Sequence, residues 1–235
     1  MTNRPVILND PTGHCPGRKP GQKCASNPKI TGPLPDWWGG QQHIYIEGYG
    51  YFDTGHIKRG WESAKYFEEQ TDLALAKGGG MFPALSKGRL GDIFSATYSV
   101  SNKVNQDQMA EVMYGMYTNF EYSYEEYQGK RYDAISSFTP EDLPSDHIGF
   151  WAYTHGIKKY EIPALLVRLG EVSHVSPISM RNPFVYQENH KFLPMDFRGV
   201  STVRGPGVRL VNVPWPSWLE VDRISSGPDT WQRVK

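Results

Sequence analysis

One stretch limits the fold more than any other. Between Asn105 and Gly129, apolar and aromatic residues return every three or four positions: Met109, Val112, Met113, Met116, Phe120, Tyr124 and Tyr127. That spacing is the repeat of an α-helix with one broad buried face. Asn105 followed by Gln108 is a capping-box pattern at its start, and Gly129 is expected to end it. A helix with so wide an apolar stripe must be covered by other elements, so the chain has to fold around it. The Met and aromatic stripe is read as core, not as a ligand pocket.

The flanking segments supply the cover. Residues 43–47 and 49–52 are short, aromatic and β-branched, as in a strand or hairpin. A helix follows, with Asp53 or Thr54 as N-cap and Ile57, Trp61, Ala64, Thr71 and Leu75 at helical spacing, until three glycines at 78–80 stop it. Residues 81–96 are expected to form a loop. Thr139, Pro140 and Asp142 make another helix start, which Pro144 should interrupt after one turn, with Ser145 recapping a second helix to Gly156. A short helix over 163–171 and a strand over 208–213 complete the reading. The sum is an α+β fold with a helix-dominated middle and short strands near the N-terminal edge and in the C-terminal third.

Lys plus Arg and Asp plus Glu number 25 each, so the chain carries no net charge and gives no strong nucleic-acid signal. No apolar run is long enough for a transmembrane segment, and no signal peptide is expected in this chain. Residues 15–36 are rich in Pro and Gly, with Arg18, Lys19, Lys23 and Lys29 and no acid between 11 and 35. They read as a solvated linker, and 37–235 as a single folded domain. Cys15 and Cys24 lie in the linker, as exposed thiols or as a disulfide closed after secretion, with no second pair for a zinc site.

The spaced Asn3, Pro5, Asp10, Pro11 and Gly13 resemble the closing segment of an Rhs/YD-repeat shell, a pattern of the form N-x-P-x-x-x-x-D-P-x-G. That resemblance implies that 1–14 are a remnant of the Rhs core and that 37–235 are the C-terminal effector domain of an Rhs-type polymorphic toxin. It implies an Rhs shell in the precursor, a cognate immunity protein as partner, and secretion or delivery into a target cell. Within 50–150 the chain also resembles an uncharacterised bacterial domain family with motifs F-I-D-x-x-H-x-R, S-Y-E and F-S-x-E-D-L-x-S-N. It matches at Asp53, His56, Glu125, Phe138, Glu141, Asp142, Leu143 and Ser145, and departs at Lys58, beside Arg59, and at Asp146.

These positions are the candidate site. His56, Glu125, Glu141 and Asp142 are the candidate catalytic residues, with Asp53 and Arg59 orienting them. His56 falls in the first turn of a helix, whose positive end disfavours an imidazolium, so a neutral imidazole fit for a general base or a metal ligand is expected. A structural account stands beside this one: Asp53, Glu141 and Asp142 suit helix starts, and Glu125 points away from the apolar stripe onto what should be a solvated face. A divalent metal held by His56, His147 and a carboxylate is conceivable, although no H-x-x-x-H spacing supports it.

A histidine with several carboxylates fits a hydrolase acting on a cell-envelope or other cellular substrate. Two other readings stand beside it. One is an NAD-consuming transferase using residues such as Arg204 and Glu188, though no ordered Arg, Ser-Thr-Ser and Glu-x-Glu series is present. The other is a non-enzymatic binding or structural module.

Overall fold

The computed structural model describes residues 34–40, 42–87, 93–105, 108–132, 137–175, 188–197, 210–219 and 230–234. Residues 1–33, with both cysteines and the Rhs-like segment, lie outside them, as do Arg204 and residues 208 and 209. Among the described residues the architecture is the expected mixture of helices and small antiparallel sheets.

Strands β1 (His43–Ile46) and β2 (Gly50–Asp53) form the expected hairpin, with His43 opposite Asp53. Helix α1 (Thr54–Ala76) starts where the sequence places it, because the Asp53 carboxylate accepts from the backbone N–H groups of Gly55 and His56. The loop expected after α1 is instead a hairpin of β3 (Gly80–Lys87) and β4 (Ile93–Val100). Phe82 and Ala84 turn inward on β3, and Phe94, Ala96, Tyr98 and Val100 on β4. Pro83 masked this period-two pattern. It is tolerated because β3 is the sheet's edge strand.

Helix α2 (Met109–Tyr132) begins with the reciprocal pair foreseen: Asn105 N–H donates to Gln108 Oε1, and Gln108 N–H to Asn105 Oδ1. Gly129 does not end it. A Cβ there would lie 2.6 Å from Ser137 Oγ, so the glycine marks a close approach within the helix. Helix α3 (Asp142–Thr154) is also continuous, contrary to the expected break at Pro144. Proline costs little in a first turn, where its missing N–H has no intrahelical acceptor. Ser145 caps nothing; its Oγ accepts from Asp53 N–H at 2.8 Å. Helix α4 (Ile162–Leu169) and strands β5 (Val172–Val175), β6 (Met195–Phe197), β7 (Leu210–Asn212) and β8 (Trp231–Val234) follow.

The strands form sheets ordered β2-β1-β5, β3-β4-β8 and β6-β7. One core lies between the β3-β4-β8 sheet and the apolar faces of α1 and α2, centred on Phe67, which meets Phe82, Tyr98, Tyr117 and Phe120 edge-on. A second lies among β1, β2, α3 and α4 and takes in Trp38, Trp215 and Leu219. Tyr117 of α2 stacks on Phe150 of α3 with ring centroids 4.7 Å apart. Among the described residues no helix is long and apolar enough to cross a membrane.

Candidate functional site

Each of three helices carries a short polar row. His56 and Arg59 are three apart on α1, Glu121 and Glu125 four apart on α2, and Asp142 and Asp146 four apart on α3. Residues so spaced share a helix face. The rows meet because α1 and α3 cross at two glycines. A Cβ on Gly60 would stand 2.4 Å from Asp146 O, and one on Gly149 only 2.1 Å from Ile57 O. No larger residue fits that crossing without moving backbone.

His56 is the centre. Its Nε2 lies 3.3 Å from Asp142 Oδ1 and its Nδ1 3.5 Å from Asp146 Oδ2. Arg59 Nη2 lies 2.9 Å from His56 Nδ1, 3.3 Å from Asp146 Oδ2 and 3.6 Å from Glu121 Oε2. Glu125 Oε2 accepts from Phe138 N–H at 3.0 Å, and Asp142 Oδ2 from Thr139 N–H at 3.2 Å. Phe138 has φ 53°, a left-handed conformation that a residue with a Cβ rarely adopts. The turn that delivers its N–H to Glu125 is therefore held against its own preference. Asn189, itself buried, braces it: its N–H donates to Phe138 O and its Nδ2 to Pro140 O.

The ionisation of the cluster follows from this crowding. Burial lifts Glu125 to about 8, with the Asp142 charge adding to it, and lifts Glu121 to about 7, with Asp146 adding. Burial also raises Asp142 to about 6 against the pull of His56. For His56 two influences conflict. Burial and Arg59 disfavour the imidazolium while Asp142 and Asp146 favour it, and the result is a rise to about 10. The 2.9 Å contact from Arg59, in contrast, is a hydrogen bond only if Nδ1 carries a lone pair. The carboxylates weigh toward the imidazolium, because Arg59 Nη2 has Asp146 and Glu121 as other acceptors and Asp146 Oδ2 also lies 3.5 Å from Nδ1. Two carboxylates within hydrogen-bonding reach favour the imidazolium that the helix dipole alone disfavours.

The carboxylates of α2 and α3 are buried, whereas 15% of the His56 side chain and 30% of Arg59 remain exposed. Solvent therefore meets a cationic pair first, with acids of graded proton affinity beneath it.

Of the residues singled out from sequence, His56, Arg59, Glu125 and Asp142 come together. Asp53 caps α1 at their edge. Glu141 turns the other way, its Oε1 3.4 Å from His43 Nε2, which also lies 3.8 Å from Asp53 Oδ2. Glu125 is not on a solvated face but fully buried, because the turn at Phe138 folds over that side of α2. His147 does not join a metal site. It is buried with Nδ1 on Tyr114 Oη and Nε2 on Leu219 O, and its ring stacks on Trp215. Among the described residues no group of three or more His, Cys, Asp or Glu is placed to hold a metal ion. Glu188 is exposed and pairs with His190 at 2.8 Å. Sequence reasoning missed Glu121, Asp146 and His43. The first two were legible as partners, one turn away, of Glu125 and Asp142; His43 was legible only through its register with Asp53.

Compared with protein-family models, curated proteins and solved structures, the chain matches none of them.

Proposed function

We propose that this chain is the hydrolytic effector domain of an Rhs-type polymorphic toxin, acting on a cell-envelope or other cellular substrate of the target cell. One observation carries the reading: a cationic His56–Arg59 pair, open to solvent, stands directly over carboxyl groups whose proton affinities bracket neutrality. Perturbed and mutually coupled titrating groups of this kind mark sites of acid–base chemistry. In this proposal His56 and Arg59 stabilise negative charge that develops on the substrate, and Asp142, its carboxyl raised to about 6 and so largely ionised at neutral pH, exchanges protons with it. Glu125 retains its proton, while Asp146 and Glu121 lie against the two cations. The cognate immunity protein and the Rhs shell belong to the same proposal through residues 2–14.

The test is growth of bacteria producing the full chain in the cytoplasm and, separately, exported to the periplasm. Inhibition in one compartment, lost in His56→Gln and Asp142→Asn with an intact melting transition, is the expected result. Harmlessness in both compartments with folded protein present would refute it.

A second reading, a binding or structural module, is favoured by the bonds from Phe138 N–H to Glu125 and Thr139 N–H to Asp142, which tie off local backbone. On that reading the same substitutions lower the melting temperature and there is no activity to lose.

A further inference from the structure

We infer that His43 is the general base of this site, with Glu141 as the carboxylate that orients it, an inference that rests on the hydrolytic reading. The consecutive acids Glu141 and Asp142 open α3 and part company there: Asp142 meets His56, and Glu141 meets His43. Asp53 joins the two halves, since its Oδ1 accepts from His56 N–H while its Oδ2 lies 3.8 Å from His43 Nε2. The two imidazoles therefore stand on either side of one helix start.

Their states differ. His56 has both ring nitrogens against carboxylates and Arg59. His43 has only Nε2 engaged, and its Nδ1 carries no hydrogen bond among the described residues. A fifth of its side chain is open to solvent, with side-chain exposure of 20%. That is the arrangement a general base needs: one nitrogen fixes tautomer and orientation through a carboxylate, and the other presents its lone pair. The groups facing it are Asp53 from β2 and Glu141 and Asp142 from α3. On β5, His174 turns aside to Gln42 Oε1 at 2.7 Å. Glu141 raises the His43 pKa, burial opposes it, and Asp53 and Asp142 add to the rise.

In the hydrolysis a water oxygen bonds to the electrophilic carbon while its proton passes to His43 Nδ1. The bond to the leaving group then breaks with its electron pair on the leaving atom, which takes the proton back from the imidazolium. His56 and Arg59 hold the oxygen that becomes negative between these steps.

Diethyl pyrocarbonate, which carbethoxylates accessible unprotonated imidazoles, is the probe. The full chain is treated between pH 6 and 9 and the modified histidines are located by mass spectrometry, with exposed His174 and His190 as internal references. His43 should react while His56 and His147 are spared, and in Glu141→Gln the midpoint of its reactivity should move to lower pH. In the growth assay His43→Gln should lose about 100-fold in inhibition, as expected for removal of a general base, with its melting transition intact. Reaction of His56 ahead of His43, or full inhibition by folded His43→Gln, would overturn the inference. If the parent chain inhibits growth in neither compartment, the hydrolytic reading falls, and the labelling order still decides which imidazole carries the free nitrogen.

Discussion

Replacing Gly149 by Ala should lower the His56 pKa without touching it. The new Cβ would sit 2.1 Å from Ile57 O and 2.7 Å from Trp61 N, and both contacts are backbone. Restoring ordinary van der Waals contact near 3.4 Å requires α1 and α3 to separate by about 1.3 Å. Unit charges 3.3 Å apart attract by about 5 kcal/mol at an effective dielectric constant of ~20, and at about 4.6 Å the attraction drops by about 1.4 kcal/mol. That loss is worth about one pKa unit. His56 faces two carboxylates on α3, at 3.3 and 3.5 Å, and so stands to lose about two units. Its pKa should fall from about 10 toward about 8. Overpacking against rigid backbone should also cost about 3 kcal/mol of stability. Titration of the His56 ring by NMR, with urea denaturation alongside, measures both. Gly60→Ala, whose Cβ would meet Asp146 O at 2.4 Å, is the companion variant. A folded Gly149→Ala whose His56 still titrates near 10 would refute the claim that the crossing sets the charge.

Other expectations follow from the same cluster. His56, raised to about 10, contributes stability that is complete below its ordinary 6.5 and is lost as pH rises through 10. Glu121, Glu125 and Asp142 also bind protons more tightly in the fold than in the open chain, so the melting temperature should decline from about pH 5 to about pH 10. Glu125→Gln mimics the protonated acid and can still accept from Phe138 N–H, so it should flatten that decline and raise stability above pH 8, as thermal scans across pH would show. His147 has the opposite sign: burial pushes it down to about 4, so the stability it contributes above 6.5 is lost as pH falls through 4. His147→Gln should weaken the acid limb of unfolding between those values, followed by fluorescence of the stacked Trp215. Asp53→Ala removes the α1 cap and should cost about 1 kcal/mol in urea denaturation, within the usual 0.5–2 range.

The helices and their starts were legible in the sequence because capping is local. Asn105 with Gln108, and Asp53 ahead of Thr54, announce themselves within four residues, and the structure places both as read. What failed was punctuation. Pro144 and Gly129 were read as stops, but a proline in a first turn breaks nothing, and a glycine in mid-helix can serve a neighbour's approach. The β3-β4 hairpin was hidden by Pro83, whose tolerance depends on edge position, which only the assembled sheet defines. In the candidate site, the residues that meet were mostly named from sequence, yet their charge states were not. Whether Glu125 is solvated and whether His56 is cationic depend on what a distant segment places beside them. His43 had no helical period to mark it and emerges only from the pairing of β1 with β2.

Ser145 reaches back to Asp53 across 92 positions, and the acids that meet the His56 ring lie almost as far along the chain from it. A ribosome releasing this polypeptide from its N-terminal end makes the first helix well before the third exists. Until residue 146 has emerged and docked, the imidazole on α1 is an ordinary histidine, half-neutral near 6.5, beside an arginine with no acid from α3 to meet. A chain that ends before residue 146 lacks one of the acids that meet His56 and Arg59, so a nascent or truncated chain of that length should lack whatever chemistry the cluster supports.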